Sequence, residues 1–108
     1  MALTQSDKIK YNKEDVISHH GVAAVIKNIA GEVLMQEHVK YGFWTIPVGK
    51  VKNDQSVLEG LRQEILEECN LHIKEAKELI VKDYYYERNG NRVKVTSHLF
   101  EIKNMRVR

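Results

Sequence analysis

The sequence contains a single cysteine and a single proline among its 108 residues, and each scarcity excludes a class of protein. One cysteine, Cys69, cannot form an intramolecular disulfide, so a disulfide-stabilised secreted scaffold is excluded. With Pro47 as the only proline and six glycines, the chain lacks the composition of a disordered or fibrous protein. Its hydrophobic content of 43% and charged content of 30% are instead typical of a folded globular domain.

Long hydrophobic runs and a strong charge of one sign are missing as well. No stretch reaches the roughly 20 apolar residues that a membrane-spanning helix needs, and the first residues lack the apolar core of a secretory signal peptide. The formal net charge of +2 is too small to predict nucleic-acid wrapping. We therefore expect one cytoplasmic domain over residues 1–108 without membrane association, in which residues 1–17 form either a loosely held arm or a short opening element.

One helix is clearly predicted in the middle of the chain. Ser56, followed three residues later by Glu59, is a capping-box pattern ahead of an apolar-periodic segment. Asn70 tolerates the left-handed conformation that ends many helices, so the helix should run from Ser56 to about Cys69. Its apolar residues share one arc around the helix axis. The neighbouring arc carries three glutamates: Glu64, Glu67 and Glu68.

This glutamate cluster is electrostatically unfavourable unless something neutralises it. Like charges at these helical spacings repel by roughly 0.2–0.5 kcal/mol per pair, and the helix dipole disfavours anions near the C-terminal end. No lysine or arginine stands four residues before any of the three glutamates. A solvated acidic face is the ordinary interpretation of such a cluster. The missing cations favour a bound divalent cation instead, because Mg²⁺ prefers carboxylate oxygens as ligands.

The segment 49–71 resembles the Nudix box of the Nudix hydrolases. Gly49 fits the opening glycine of the box, and Leu71 fits its closing apolar residue. The pairs Glu64-Ile65 and Glu67-Glu68 fit the glutamate-apolar and acidic pairs of its second half. The preceding segment 44–50, Trp-Thr-Ile-Pro-Val-Gly-Lys, is similar to the family's lead-in sequence, with one glycine replaced by valine.

Three residues depart from the box. Gln55 replaces its first glutamate, Gln63 replaces its arginine, and Asn70 replaces its second glycine. The exchange at Asn70 is mild, because asparagine also adopts the left-handed conformation. The arginine of the family normally pairs with a box carboxylate, whereas a neutral glutamine can only form a hydrogen bond. Two alternatives follow, an active hydrolase and a Nudix-like nucleotide-binding module with weak or no turnover.

The resemblance implies a fold, a reaction and a set of site residues. The fold is α/β (α+β), a mixed β-sheet packed with helices in which the box forms a loop-helix-loop. The reaction is hydrolysis of a diphosphate linkage in a nucleoside diphosphate-linked compound, with Mg²⁺ or Mn²⁺ as cofactor. Protein carboxylates act mainly as metal ligands in such chemistry, where a metal-activated water attacks phosphorus. The implied catalytic residues are Glu64, Glu67 and Glu68, and the metal ligands are these three together with the carbonyl of Gly49.

Lysines and tyrosines are candidates for contacts with the substrate. Lys50 and Lys52 precede the helix and would bind phosphate, and Tyr84 or Tyr86 would stack on a base. Packing on a sheet face is the ordinary role of strand tyrosines and the favoured one here. The sequence does not identify the substrate among nucleotide-type small molecules, which include nucleoside triphosphates, ADP-ribose and dinucleoside polyphosphates. RNA ends are a further alternative, although no feature of the sequence supports them.

The remaining segments read mainly as strands. Residues 20–27 form a continuous apolar run typical of a strand buried on both faces, and we expect this strand to pair with residues 33–38 as a hairpin. Asn89-Gly90 is a strong two-residue turn signal, which predicts a second hairpin over residues 79–102. Its register would place three pairs opposite one another: Glu87 and Arg92, Tyr86 and Val93, and Tyr84 and Val95.

Only residues 103–108 follow the second hairpin in this sequence, whereas domains of the family usually continue into another strand and a C-terminal helix. We therefore expect the C-terminal helix to be missing, supplied by a partner subunit, or replaced by the N-terminal arm. A missing layer would expose apolar sheet surface, and such a surface usually marks an interface. Since homodimers are also frequent in the family, we expect this chain to form a homodimer.

Overall fold

The computed structural model describes residues 7–9 and 18–108. Most of the expected N-terminal arm, residues 1–17, lies outside this range. The described piece contacts the loop ahead of the helix, because the Ile9 backbone N–H donates to the Gln55 carbonyl at 2.7 Å and the Asp54 backbone N–H donates to the Ile9 carbonyl at 2.8 Å. The Ile9 side chain is 3% exposed and belongs to the hydrophobic core.

Two sheets and one helix make up the described part of the chain. The elements are β1 (Ser18–Val25), β2 (Gln36–His38), β3 (Phe43–Thr45), β4 (Val48–Lys50), α1 (Val57–Cys69), β5 (Leu71–Arg88) and β6 (Asn91–Val107). The main sheet has the strand order β4-β1-β6-β5. Strand β1 runs parallel to β6, whereas the β1–β4 and β5–β6 pairs are antiparallel. The mixed sheet with its packed helix confirms the expected fold class.

Strand β1 is central because its apolar run has partners on both sides. It pairs with β4 at one edge and with β6 at the other. Val22 and Ala24 are buried beneath α1, and Ala23 between them is only 9% exposed. Burial on both faces of the sheet confirms the prediction made from the continuous apolar pattern.

The predicted pairing of residues 20–27 with residues 33–38 is wrong beyond its first residues, where the Leu34 N–H donates to the Ile26 carbonyl at 2.8 Å. Lys27 and Val33 form an isolated bridge. The chain then turns away, and β2 pairs with β3 in a separate two-stranded sheet. A tight turn closes the β2–β3 hairpin, since Tyr41 and Gly42 both donate to the carbonyl of His38. Gly42 adopts a φ of 69°, which glycine reaches without strain.

The second hairpin has the predicted register and is longer than expected. All three predicted pairs are present, including Tyr86 opposite Val93. Asn89 and Gly90 both have positive φ, as a two-residue turn matched to the strand twist requires. Strand β5 begins at Leu71, directly after the helix. Register shifts between Ile73 and Ile80 interrupt its ladder without ending the strand.

Helix α1 begins and ends where the sequence predicts. The Ser56 hydroxyl accepts from the Glu59 backbone N–H at 3.1 Å, and the Glu59 side chain accepts from the Ser56 N–H at 3.4 Å. At the other end Asn70 adopts a left-handed conformation with φ 60°. The helix is 13 residues long and neither long nor apolar enough to cross a membrane. It packs on the sheet through four buried residues: Val57, Gly60, Leu61 and Ile65.

Candidate active site

Glu64 lies directly against the backbone of Gly49. Gly49 is opposite Val22 in the β1–β4 ladder, at the sheet edge beside α1. A Cβ atom placed on Gly49 would overlap Cγ and Cδ of Glu64 and lie 2.8 Å from its Oε2. A residue with a side chain would therefore displace Glu64. The structure thus brings together two of the predicted metal-ligand positions, one on the strand and one on the helix.

The environment of Glu64 disfavours its ionised form. Burial raises the pKa of Glu64 above its ordinary value of 4.5, and the negative charges of Glu67 and Glu68 raise the pKa further. The positive charge of Lys52 acts in the opposite direction. Lys52 was predicted to contact phosphate, and it is close enough for its charge to act on Glu64. Additional positive charge at this place would favour the ionised form of Glu64.

The three carboxylates share a helix face without converging. Glu67 and Glu68 are exposed at the end of α1, and the last turn of this helix contains no basic residue. In residues 7–9 and 18–108, no three aspartate, glutamate, histidine or cysteine side chains lie close enough together to hold a metal ion as they stand. Their donor chemistry nevertheless fits a hard divalent cation, since carboxylate oxygens are its preferred ligands. The metal-binding roles of these glutamates stay predictions.

The two glutamines that depart from the Nudix box contact each other. Gln55 donates a hydrogen bond from its Nε2 to Oε1 of Gln63. Gln63 in turn donates from its Nε2 to Oε1 of Glu67 at 2.8 Å. At the other end, the backbone N–H of Lys52 donates to Oε1 of Gln55 at 2.9 Å. The contact between Gln55 and Gln63 was not predicted, because no local sequence pattern places a loop residue against a helix residue.

A polar cleft opens beside Glu68. It has a volume of about 310 Å³ and lies between the end of α1 and the β2–β3 ladder. Its lining residues are Gln36, Glu37, His38, Thr45, Val48 and Glu68. These residues were not grouped by the sequence analysis, since their proximity depends on the β2–β3 pairing, which was not predicted.

Lys50 lies on the other face of the main sheet. Side chains alternate between faces along a strand, and Gly49 faces Glu64 of α1. The next residue, Lys50, therefore points away from the helix. There its charge acts on His19: burial lowers the pKa of His19, and the positive charges of Lys50 and Arg88 lower it further. The structure separates Lys50 from the glutamate cluster, and its phosphate-binding role stays a prediction.

Tyr84 and Tyr86 also lie on the sheet face away from α1. They pair with Val95 and Val93 of β6, odd-numbered residues of this strand, whereas even-numbered residues further along it, such as Phe100, belong to the core beneath the helix. Both tyrosines are substantially exposed, at 52% and 38%. A cation accompanies each ring: Lys82 Nζ lies 5.4 Å from the Tyr84 ring centre, and Arg88 lies 5.8 Å from that of Tyr86. The structure does not bring these tyrosines to the glutamates, and their base-stacking role stays a prediction.

A contact between two histidines, one of them buried, was not predicted from the sequence. His98 is 4% exposed, and its Nε2 lies 2.9 Å from Nδ1 of His20. Glu78 approaches the other ring nitrogen of His98 at 3.3 Å. Burial lowers the pKa of His20, and the neighbouring His98 lowers it further. The two histidines are 78 residues apart in the chain, so only the parallel β1–β6 pairing brings them together.

Comparison with known proteins gives a family match over most of the chain. A family model described as NUDIX domain matches residues 17–105. The 8-oxo-dGDP phosphatase NUDT18 of Danio rerio is 37% identical over 65 residues, which are 57% of this chain and 20% of that protein. The match therefore spans about a fifth of the length of that curated relative.

Several solved structures share the fold. The mutator MutT protein from Bacillus halodurans matches with a TM-score of 0.70 and 19% identity, over 82% of this chain and 58% of that one. The MutT NUDIX hydrolase from Burkholderia pseudomallei matches with a TM-score of 0.69 and 24% identity, over 82% and 69%. The C. elegans Ap4A hydrolase matches with a TM-score of 0.56 and 22% identity, over 81% and 70%. At these identities the likeness establishes the fold.

Proposed function

Because this chain belongs to the NUDIX domain family, we propose that it hydrolyses a diphosphate linkage in a nucleoside diphosphate-linked compound, with Mg²⁺ or Mn²⁺ as cofactor. The observation that carries the proposal is the position of Glu64 against Gly49, with Glu67 and Glu68 close enough to raise its pKa. This concentration of negative charge is what a divalent cation would neutralise. Two of the similar proteins are named an 8-oxo-dGDP phosphatase and an Ap4A hydrolase, which fits a nucleotide-type substrate.

Each residue of the site has a proposed role. Glu64, Glu67 and Glu68 supply carboxylate ligands, and the carbonyl of Gly49 is a further ligand. A divalent cation bound there supplies neutralisation of the diphosphate charge and a water molecule of lowered pKa. The backbone of Gly49 leaves the space in which Glu64 is held, and Gln63 fixes the carboxylate of Glu67 through its hydrogen bond.

The substrate is proposed to lie in the cleft beside Glu68. Gln36 and Thr45 line this cleft with neutral polar groups, and His38 adds a ring that can stack or donate a hydrogen bond. Lys52 is the lysine whose charge reaches the glutamates, so it is the better placed of the two candidates for a phosphate contact. A substrate bound in this way would have its diphosphate at the helix face and its nucleoside along the β2–β3 ladder.

The first experiment measures phosphate or pyrophosphate release from a panel of nucleoside diphosphate-linked compounds with Mg²⁺ and with Mn²⁺. We expect turnover that depends on the metal and falls by about 100-fold or more in Glu68→Gln, since a metal ligand is lost. Glu75→Gln is the matched control, because Glu75 is an exposed residue of strand β5 that does not line the cleft and has no proposed role in the site. Its turnover should equal that of the wild type.

A nucleotide-binding module with weak or no turnover is the second candidate. The neutral side chains at Gln55 and Gln63 favour it, because the family has charged residues at both positions. Nucleotide binding detected by calorimetry without any metal-dependent turnover across the panel would support the module and reject the hydrolase.

A further inference from the structure

We propose that Gln55 and Gln63 act as one directional amide relay that positions the carboxylate of Glu67, so that the two glutamines are a matched exchange and not two separate losses. Both are positioning residues, since neither is a proposed metal ligand. The proposal rests on the proposed hydrolase function only for the metal-binding role that it gives to Glu67. The relay itself is a property of the hydrogen bonds between loop and helix.

The direction of the relay is set at its first end by a backbone group. The Lys52 N–H can only donate, and it is bound to Oε1 of Gln55 at 2.9 Å. With its oxygen turned to Lys52, Gln55 presents its amino group to the helix. Whatever stands at position 63 must therefore accept a hydrogen bond on this side.

The other end of the relay imposes the complementary requirement. The Glu67 carboxylate only accepts when it is ionised, and it is bound to Nε2 of Gln63 at 2.8 Å. Position 63 must therefore donate on the side of Glu67 and accept on the side of Gln55. A glutamine amide has one group of each kind, and the four-residue helical spacing to Glu67 places its amino end correctly.

Changing one glutamine alone to the residue of the Nudix box disrupts the hydrogen bonds of the relay. In Gln55→Glu, the introduced carboxylate still accepts from Lys52, but it then meets the Oε1 of Gln63, so that two acceptors face each other. Turning the Gln63 amide over would remove the donor from Glu67. In Gln63→Arg, the introduced guanidinium has donors only and meets the amino group of Gln55. Turning the Gln55 amide over would place its amino group against the Lys52 N–H.

Changing both glutamines together restores a consistent set of hydrogen bonds. The carboxylate introduced at position 55 accepts from the Lys52 N–H and from the guanidinium introduced at position 63. That guanidinium also donates to Glu67. Since each side chain is either all acceptor or all donor, no pair of like groups meets. The single change Gln63→Arg therefore cannot show whether the site has lost turnover through its two glutamines.

The test is a double-mutant cycle with four proteins: the wild type, Gln55→Glu, Gln63→Arg and the double variant. Two measurements need no substrate, namely Mn²⁺ affinity by electron paramagnetic resonance and the urea midpoint of unfolding without metal. Each single variant should bind Mn²⁺ about 10-fold more weakly, since residues that orient a metal ligand contribute about that much. The double variant should regain most of the lost affinity, and its urea midpoint should exceed those of both single variants.

Arg62→Gln is the control, because Arg62 is an exposed neighbour on the same helix and lies outside the relay. It should leave both measurements unchanged. Losses that simply add in the double variant, or single variants that match the wild type, would overturn the relay. The outcome for the proposed function is separate: rescue in the double variant without turnover in any protein would retain the relay and reject the hydrolase.

Discussion

Glu64 is the residue at which packing and charge oppose each other. Its side chain fills the space that Gly49 leaves, and burial with two neighbouring carboxylates raises its pKa above 4.5. The folded protein therefore binds this proton more tightly than the unfolded chain does. The stability that the protonated form contributes is complete below pH 4.5 and is lost as the pH rises through the raised pKa of the folded state.

Glu64→Gln should consequently stabilise the metal-free protein above this pH window and not below it. The amide keeps the shape of the carboxyl group and removes the charge that burial penalises. Urea midpoints in the presence of a chelator, at about pH 4 and about pH 8, measure the difference. Glu75→Gln, at an exposed strand position, should give equal midpoints to the wild type at both pH values. A variant less stable than the wild type at the higher pH would contradict the raised pKa.

The site role of a single residue could be predicted where it depends on residues nearby in the sequence. The three glutamates were identified because no lysine or arginine precedes them at helical spacing. The separation of Lys50 from Lys52 was not predicted, because it depends on which face of the short strand β4 turns to the helix. The contact of Gln55 with Gln63 was missed for a similar reason, since it needs the loop to fold back on the helix.

Helix α1 shows how much of an element local chemistry can determine. Its capping box and its left-handed Asn70 are both encoded within a few residues, and both ends were predicted correctly. The β5–β6 register followed in the same way from Asn89-Gly90. The β2–β3 pairing and the parallel β1–β6 pairing were not visible in the sequence, because strand partners are chosen by competition between distant segments.

Asn70 is the element-level position for a stability test. With φ at 60°, a residue with a Cβ and no compensating side-chain hydrogen bonding costs about 1–2 kcal/mol there. Asn70→Ala should therefore destabilise the protein by about 1 kcal/mol, and Asn70→Gly, which restores the residue of the Nudix box, should be neutral or slightly stabilising. Urea unfolding of the three proteins measures the difference. Equal stability of the alanine and glycine variants would mean that helix α1 does not depend on this conformation.

The main sheet of the whole molecule carries an exposed apolar strip. Strand β5 is at an edge of the sheet. Within it Leu79, Ile80 and Val81 are 44%, 56% and 50% exposed. A long edge strand with consecutive exposed apolar residues offers free backbone groups and hydrophobic surface to another chain. This strip is a candidate surface for the homodimer that the sequence predicts, which stays a prediction.

We predict that the chain forms a homodimer and that the apolar strip of β5 contributes to the contact. Ile80→Lys should weaken dimerisation by about 10-fold or more, because it would bury an unpaired charge in the interface. Light scattering over a range of protein concentrations measures the effect. Ile29→Lys is the control, since Ile29 is fully exposed in the turn after β1 and the same exchange there should leave the dimer unchanged. A wild-type protein that stays monodisperse and monomeric at high concentration would reject the homodimer. Equal weakening by both lysine variants would reject the assignment to β5, because a general effect of added charge would then suffice.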